Sequence, residues 1–184
     1  MIDDYYLAKL DRDTHLRDLQ SLYDCCSEFV QIEWGTPSNP DAAEQDFAYR
    51  GLLIYGIYSR QSELIGVLEL IRDYPKPEEW WLALLMLDPA ARNHGLGARV
   101  CESTVDWIAQ EGGRAVWLGA QETNGNAQRF WSRMGFVEKE RQPYVASNGH
   151  ESRIVLMRRE VADAPPATSG HVAISFASTQ SPSS

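Results

Sequence analysis

The chain has 184 residues, 43% of them hydrophobic, and a formal net charge of −9. This length and apolar content suit one domain with a sizeable core, and the acidic balance argues against nucleic-acid binding and against docking on anionic membranes. The longest apolar run, Trp80 to Leu87, is far below the roughly 20 residues that cross a bilayer as a helix, so no membrane segment is expected.

The amino terminus, "MIDDYY", carries two aspartates where a secretion signal would be basic, and it reads as a cytoplasmic start. "YYLAKLD" reads as a strand. Thr14 is positioned to cap a helix running through "LRDLQSLYDCCSEFV", with Leu16, Leu19, Leu22, Tyr23, Cys26, Phe29 and Val30 on its inner face. "WGTPSNPD" is punctuated as a loop whose first residue, Trp34, is a candidate for facing a substrate, and "AAEQDFAYR" is a second short helix.

"LLIYGIYS" and "ELIGVLELI" form a predicted antiparallel hairpin around "RQS". After the loop "RDYPKPEE", the run "WWLALLML" is a third consecutive strand, apolar on both faces and therefore central. From Gly95 the pattern turns helical, with Leu96, Val100, Thr104 and Ile108 on one stripe, until Gly112 and Gly113 stop it. "RAVWLGA" is another strand, Asn124 to Met134 a short helix ended by Gly135, and "GFVEKERQPYV" and "ESRIVLMRR" a final strand pair. The expected order is β-α-α-β-β-β-α-β-α-β-β over a domain of residues 1–160. Residues 161–184 form a Ser-, Ala-, Thr- and Pro-rich flexible tail, in which "HVAISF" is a further candidate strand.

Cys25, Cys26 and Cys101 include an adjacent pair and form no disulfide framework. His15, His94, His150 and His171 lack the short helical spacings of zinc ligands, so no metal is expected. The informative stretch is "RNHGLG", Arg92 to Gly97, between a buried strand and a helix. Backbone N–H groups at a helix start have no intrahelical acceptor, and the helix dipole favours an anion there. Gly95 and Gly97 let a phosphate approach the main chain, and Arg92 adds charge. A P-loop would continue as Gly-Lys-Ser/Thr, whereas Gly97 is followed by Ala98 and Arg99, and the third glycine and distal acid of a dinucleotide fingerprint are missing.

A lone G-x-G more often only shapes a turn, but the surrounding residues add to it. "LMLDPAARNHGLG" resembles the cofactor motif of the GNAT acyltransferase family, Arg/Gln-x-x-Gly-x-Gly/Ala after a strand, and "NGNAQRFWSRMGF" resembles the family's second signature, with Asn124, Ala127, Gly135 and Phe136 in register. The resemblance implies an α/β (α+β) fold: a mixed, mostly antiparallel sheet of about seven strands flanked by about four helices. It also implies acetyl-CoA as cosubstrate, with Arg92, Asn93, His94, Gly95, Leu96, Gly97 and Ala98 around the diphosphate. Leu85 and Leu87 would offer main-chain groups to the pantetheine arm, and Asn124, Ala127 and Trp131 would line its far side. The partners are then acetyl-CoA and an amine acceptor; a homodimer is one open option for the assembly.

Direct transfer needs an oxyanion donor, a base for the amine proton and a proton for the leaving thiolate. Main-chain N–H groups near Met86 and Leu87 are the expected oxyanion donors. Trp131 stands where the family commonly has a tyrosine, and an indole cannot surrender its proton; Tyr144 is the substitute acid, or else simply a packed strand residue. Glu69, which interrupts an apolar strand, is the first candidate base, or alternatively a structural ion-pair partner. Asp73, Glu78 and Glu79 are weaker candidates. Trp34, Asp73 and Trp80 are the candidate acceptor-binding residues, with Trp80 and Trp81 alternatively core and wall, and His94 is a phosphate or solvent contact. The competing reading is a catalytically silent acyl-CoA-binding or sensing domain, and a third is transfer of a longer acyl chain.

Overall fold

The computed structural model describes residues 5–162; the tail after residue 162, with its candidate strand "HVAISF", lies outside the described residues. The elements are β1 (Tyr5–Lys9), α1 (Arg12–Cys25), α2 (Ser27–Trp34), α3 (Ala42–Ala48), β2 (Leu52–Ser59), β3 (Leu64–Arg72), β4 (Glu79–Leu87), α4 (Leu96–Gln110), β5 (Ala115–Gln121), α5 (Gly125–Arg133), β6 (Val137–Val145) and β7 (Glu151–Glu160), with a 3₁₀ turn at Pro89–Ala91. The seven strands form one sheet in the order β1-β2-β3-β4-β5-β7-β6, antiparallel except for the β4–β5 pair. The expected order therefore holds, with two local differences. Asp11, not Thr14, caps α1 by accepting from the Thr14 amide at 3.0 Å, and the long first helix breaks at Cys26 (φ −104°, ψ 40°) into α1 and α2, which makes five helices among the described residues.

Two apolar layers enclose the sheet. On one side α4 buries Leu96, Val100, Cys101, Val105 and Ile108 against Leu68, Leu70, Trp80, Leu82, Val116 and Leu118. On the other, α1, α2 and α3 bury Leu19, Leu22, Tyr23, Cys26, Val30, Ala42 and Ala43 against Ile54, Val67, Leu84 and Met86. β4 contributes to both layers because its register slips by one residue: Glu69 pairs with Leu84 and Leu70 with Leu82, leaving Ala83 as a bulge. A strand alternates faces with period two, so one extra residue exchanges them. Trp80 and Leu82 accordingly face α4, while Leu84 and Met86 face α1.

The parallel β4–β5 ladder consists of three pairs, Glu79–Ala115, Trp80–Val116 and Trp81–Trp117. Beyond them β5 stays paired with β7 to its end at Gln121, and β4 stays paired with β3. The two strands thus diverge in the middle of the sheet and open a gap that leads to residues 92–97.

Candidate active site

The gap carries backbone hydrogen-bonding groups that the sheet does not use. The Asp88 amide donates to the Ile65 carbonyl at 3.0 Å across β3, and in an antiparallel ladder this orientation alternates. In this register Met86 and Leu84 therefore also address β3, while Leu85 and Leu87 turn their main-chain groups toward the gap. This corrects the oxyanion donor expected at Met86, whose amide is committed to the ladder; the amides that face the opening are those of Leu85 and Leu87. Because unpaired backbone groups are costly to bury, a ligand with amides of its own, such as a pantetheine arm, suits this edge.

At the end of β4 the chain turns through Asp88, whose carboxylate accepts from the Ala90 amide at 2.7 Å, and then through two left-handed residues, Asn93 (φ 64°) and Gly95 (φ 78°). Gly95 is the N-cap of α4, and no side chain caps that helix. A Cβ on Gly95 would meet nothing within 4 Å, so backbone conformation rather than crowding requires glycine there. Asn93, His94 and Gly95 are exposed, and the helix start presents free amides to solvent, as an anion site requires. Gly97 lies against Leu87 and Phe130, with room for a methyl group at 3.6 Å.

Arg92 does something else. Its Nε donates to the Leu87 carbonyl at 2.9 Å, its Nη2 lies 3.3 Å from the Cys26 Sγ, and its Nη1 lies 4.0 Å from Glu28. The Cys26 thiol itself contacts the Leu87 carbonyl at 3.5 Å; burial pushes this thiol up and Arg92 opposes the shift. The guanidinium expected around a diphosphate thus ties the last residue of β4 to the α1–α2 junction, and the Leu87 carbonyl expected to serve a pantetheine arm is already engaged.

On the far side of the gap, Asn124 caps α5 by accepting from the Ala127 amide at 3.0 Å. Trp131 is 8% exposed and packs edge-on against Phe130 and Phe136, at centroid distances of 4.8 and 5.4 Å. It forms part of the wall between α5 and the sheet. Trp80 is a correction. It is 1% exposed, beneath α4 against Trp107 at 5.1 Å with Arg72 stacked over it; it cannot bind an acceptor. Asp73 is exposed at the β3–β4 turn, where it accepts from the Glu78 amide at 2.9 Å, at the end of β4 remote from the gap. Glu78 pairs with Arg114 at 2.8 Å, and Glu79 with Arg158 at 3.1 Å and the Trp117 indole at 2.8 Å. All three belong to the closed end of the ladder.

Glu69 is 4% exposed, under α1 and α3, and its carboxyl is raised well above the usual range by burial and by the neighbouring Asp46. Asp46 is pushed up to about 6, chiefly by burial, while hydrogen bonds from Tyr23 and Glu69 hold it down. The Tyr23 hydroxyl donates to Asp46 at 2.6 Å. In this arrangement Glu69 keeps its proton and donates it to the Asp46 carboxylate, leaving Glu69 Oε1 without a hydrogen-bond partner.

Tyr144 meets a residue that the sequence reading missed. It hydrogen-bonds Glu33 of α2, and its phenol is raised by burial and by that carboxylate. Gln121, at the end of β5, donates to the same carboxylate at 3.0 Å. The β6–β7 turn secures this junction: the Trp34 indole donates to Ser147 at 3.2 Å, Asn148 donates to the Trp34 carbonyl at 2.8 Å, and Ser147 donates to Gln45 at 3.0 Å. Trp34 thus anchors a strap beside the gap. The signal for Glu33 was its place next to Trp34, a residue already singled out at the loop.

A sheet opened between two parallel strands, with an uncapped glycine turn at the mouth of the opening, defines the acetyltransferase (GNAT) class. The model of the acetyltransferase (GNAT) family matches residues 16–136, and the chain belongs to that family. An uncharacterized N-acetyltransferase of Mycobacterium tuberculosis (strain ATCC 25618 / H37Rv) is 30% identical over 98 residues, which cover 53% of this chain and 62% of that relative. The match therefore spans less than two thirds of the relative's length. Among solved structures, an acetyltransferase from Thermus thermophilus superposes with a TM-score of 0.68 at 17% identity, covering 86% of this chain and 98% of the other. Spermidine N-acetyltransferase from Vibrio cholerae, in complex with CoA and spermine, gives 0.67 at 16% identity, covering 87% and 97%. The ribosomal-protein-S18-alanine N-acetyltransferase from Escherichia coli gives 0.64 at 16% identity, covering 92% and 100%. These structural likenesses establish the fold.

Proposed function

We propose that the chain is an N-acetyltransferase of the cytoplasm that moves an acetyl group directly from acetyl-CoA to an amine of a small molecule or peptide. The single observation that carries this reading is the mid-sheet gap, whose unladdered Leu85 and Leu87 edge runs into the open amides at Gly95–Gly97. The residues fit the cosubstrate: the helix start suits a diphosphate, the Leu85 groups and the Leu87 amide left outside the β4 ladder suit the amides of an extended arm, and α5 closes the far side through Ala127 and Trp131. Acetyl-CoA supplies an activated thioester, so the protein needs no nucleophile of its own.

In this reading the Leu85 amide donates to the carbonyl oxygen as negative charge develops on it. Tyr144 holds the proton that the departing sulfur requires, taking over from the family's usual tyrosine at the Trp131 position. The experiment is a thiol-release assay with acetyl-CoA and a panel of amines. Release that depends on one class of amine supports transfer; thermal stabilisation by acetyl-CoA with no turnover on any amine would favour a sensing domain instead.

A further inference from the structure

Glu69 is shut away beneath two helices, so the base that activates the amine has to be sought at the gap itself. Counting in register from the Trp81–Trp117 pair, and allowing one residue on β4 for the Ala83 bulge, Ala120 lies level with Leu85 and Gln121 with Met86. The Gln121 side chain points to the face opposite α4, because its neighbours Leu118 and Ala120 fill the α4 layer. Through Gln121 the Glu33 carboxylate is therefore held beside the opened part of the gap, one residue along from the level of Leu85, whose amide is the donor assigned to the carbonyl oxygen. Glu33 is partly exposed, unlike Glu69.

We propose that Glu33 is the catalytic base that takes the proton from the attacking amine and that it returns a proton to Tyr144. The proposal rests on the acetyl-transfer reading above. The amine enters neutral, having lost its first proton to solvent. Its nitrogen forms a bond to the carbonyl carbon while Glu33 accepts the N–H proton; the C–S bond breaks and the sulfur takes the phenolic proton of Tyr144; the proton on Glu33 then crosses their hydrogen bond to restore the phenol. One proton leaves nitrogen and one reaches sulfur, so the cycle balances. Glu33 also times the second transfer, because its negative charge is one of the causes that hold the Tyr144 proton in place, and that charge disappears when the amine proton arrives.

The groups facing Glu33 agree with this role. Gln121 from β5 is neutral and orients the carboxylate, Tyr144 from β6 is its proton partner, and the Tyr23 phenol from α1 feels Glu33 as well as Glu69 and Asp46. The strap from Trp34 to Ser147 and Asn148 fixes the distance between α2 and β6 on which the exchange depends.

The test compares the wild-type chain with Glu33→Gln, Glu33→Asp and Tyr144→Phe. Two readouts are used: thermal stabilisation by acetyl-CoA, and kcat against pH with the best amine among butylamine, spermine and a peptide with a free amino terminus. Expected is unchanged stabilisation by acetyl-CoA in all variants. In Glu33→Gln, kcat should fall about 100-fold at neutral pH and recover as pH rises and hydroxide replaces the base. Glu33→Asp should regain part of the rate, and Tyr144→Phe should lose rate without that recovery. A wild-type chain active on an amine whose Glu33→Gln variant keeps its kcat and pH profile would overturn the assignment while leaving the acetyl-transfer reading intact. A wild-type chain that binds acetyl-CoA and turns over no amine would overturn both.

Discussion

The buried pair beneath α1 makes stability depend on pH in a direction opposite to most carboxylates. Asp46 moves from 3.8 in the unfolded chain to about 6 in the folded one, mainly through burial. Below pH 3.8 both states are protonated and the group contributes nothing. Between the two values the folded state holds a proton that the unfolded state has released, so stability falls as pH rises, and above about 6 the full penalty is present. A shift of about 2 units at about 1.4 kcal/mol each gives a penalty of about 3 kcal/mol, of which about 2 kcal/mol develops between pH 4.5 and 7. Asp46→Asn keeps an acceptor for the Tyr23 hydroxyl and for Glu69, and removes the charge. Urea unfolding of both chains across this range should show the variant gaining about 2 kcal/mol on the wild type as pH rises, with Glu69, itself raised, extending the trend upward. Surface carboxylates such as Asp11 and Glu138 are lowered by their partners and stabilise at higher pH, but they cancel in the difference. A stability difference that is the same at both pH values would show that Asp46 does not ionise in a buried setting.

Gly97→Ala has room for its methyl group and should unfold within about 1 kcal/mol of wild type while losing about tenfold in acetyl-CoA affinity by calorimetry, because the methyl group occupies the approach to the α4 amides. Gly95→Ala, at φ 78°, should in addition lose about 1–2 kcal/mol in thermal unfolding. Arg92→Ala should weaken acetyl-CoA and acetylpantetheine, which lacks the diphosphate, by the same factor, since its guanidinium secures Leu87; a loss confined to acetyl-CoA would place Arg92 on the diphosphate after all. Trp80→Ala should cost about 3–5 kcal/mol of stability and leave the KM of the amine acceptor unaltered, as its position beneath α4 demands.

Periodicity was enough to locate nearly every element. The α4 stripe of Leu96, Val100, Thr104 and Ile108 is buried as expected, the hairpin of β2 and β3 turns where "RQS" stands, and the inner face of α1 and α2 is the one anticipated. The glycine turn was legible because left-handed backbone at a helix start restricts residue choice, and Gly95 shows it. What depends on long-range pairing was not legible. Nothing local to "ELIGVLELI" says that Tyr23 and Asp46 will converge on Glu69, and nothing local to "CCSEFVQIEWG" says that Glu33 will meet Tyr144 from more than a hundred positions away. Trp80, legible as core but also offered as an acceptor contact, shows a related limit: a strand apolar on both faces gives no clue to which face meets which helix.

The organisation of the site turns on one unpaired residue, Ala83. Without the bulge β4 would keep one set of side chains toward α4 along its whole length, and Leu84 and Met86 would stand in the α4 layer rather than the α1 layer they fill. The alternation of backbone groups would be displaced with them, and the amides turned to the gap would belong to Leu84 and Met86 in place of Leu85 and Leu87. A bulge also increases local twist, which is the distortion needed to carry β4 away from β5 after three pairs. The extra residue can be small because it sits exposed beside the opening, and only the backbone has to bend. One insertion in one strand thus opens the cleft, selects the donors that face it and, through the register, sets the height at which Gln121 presents Glu33.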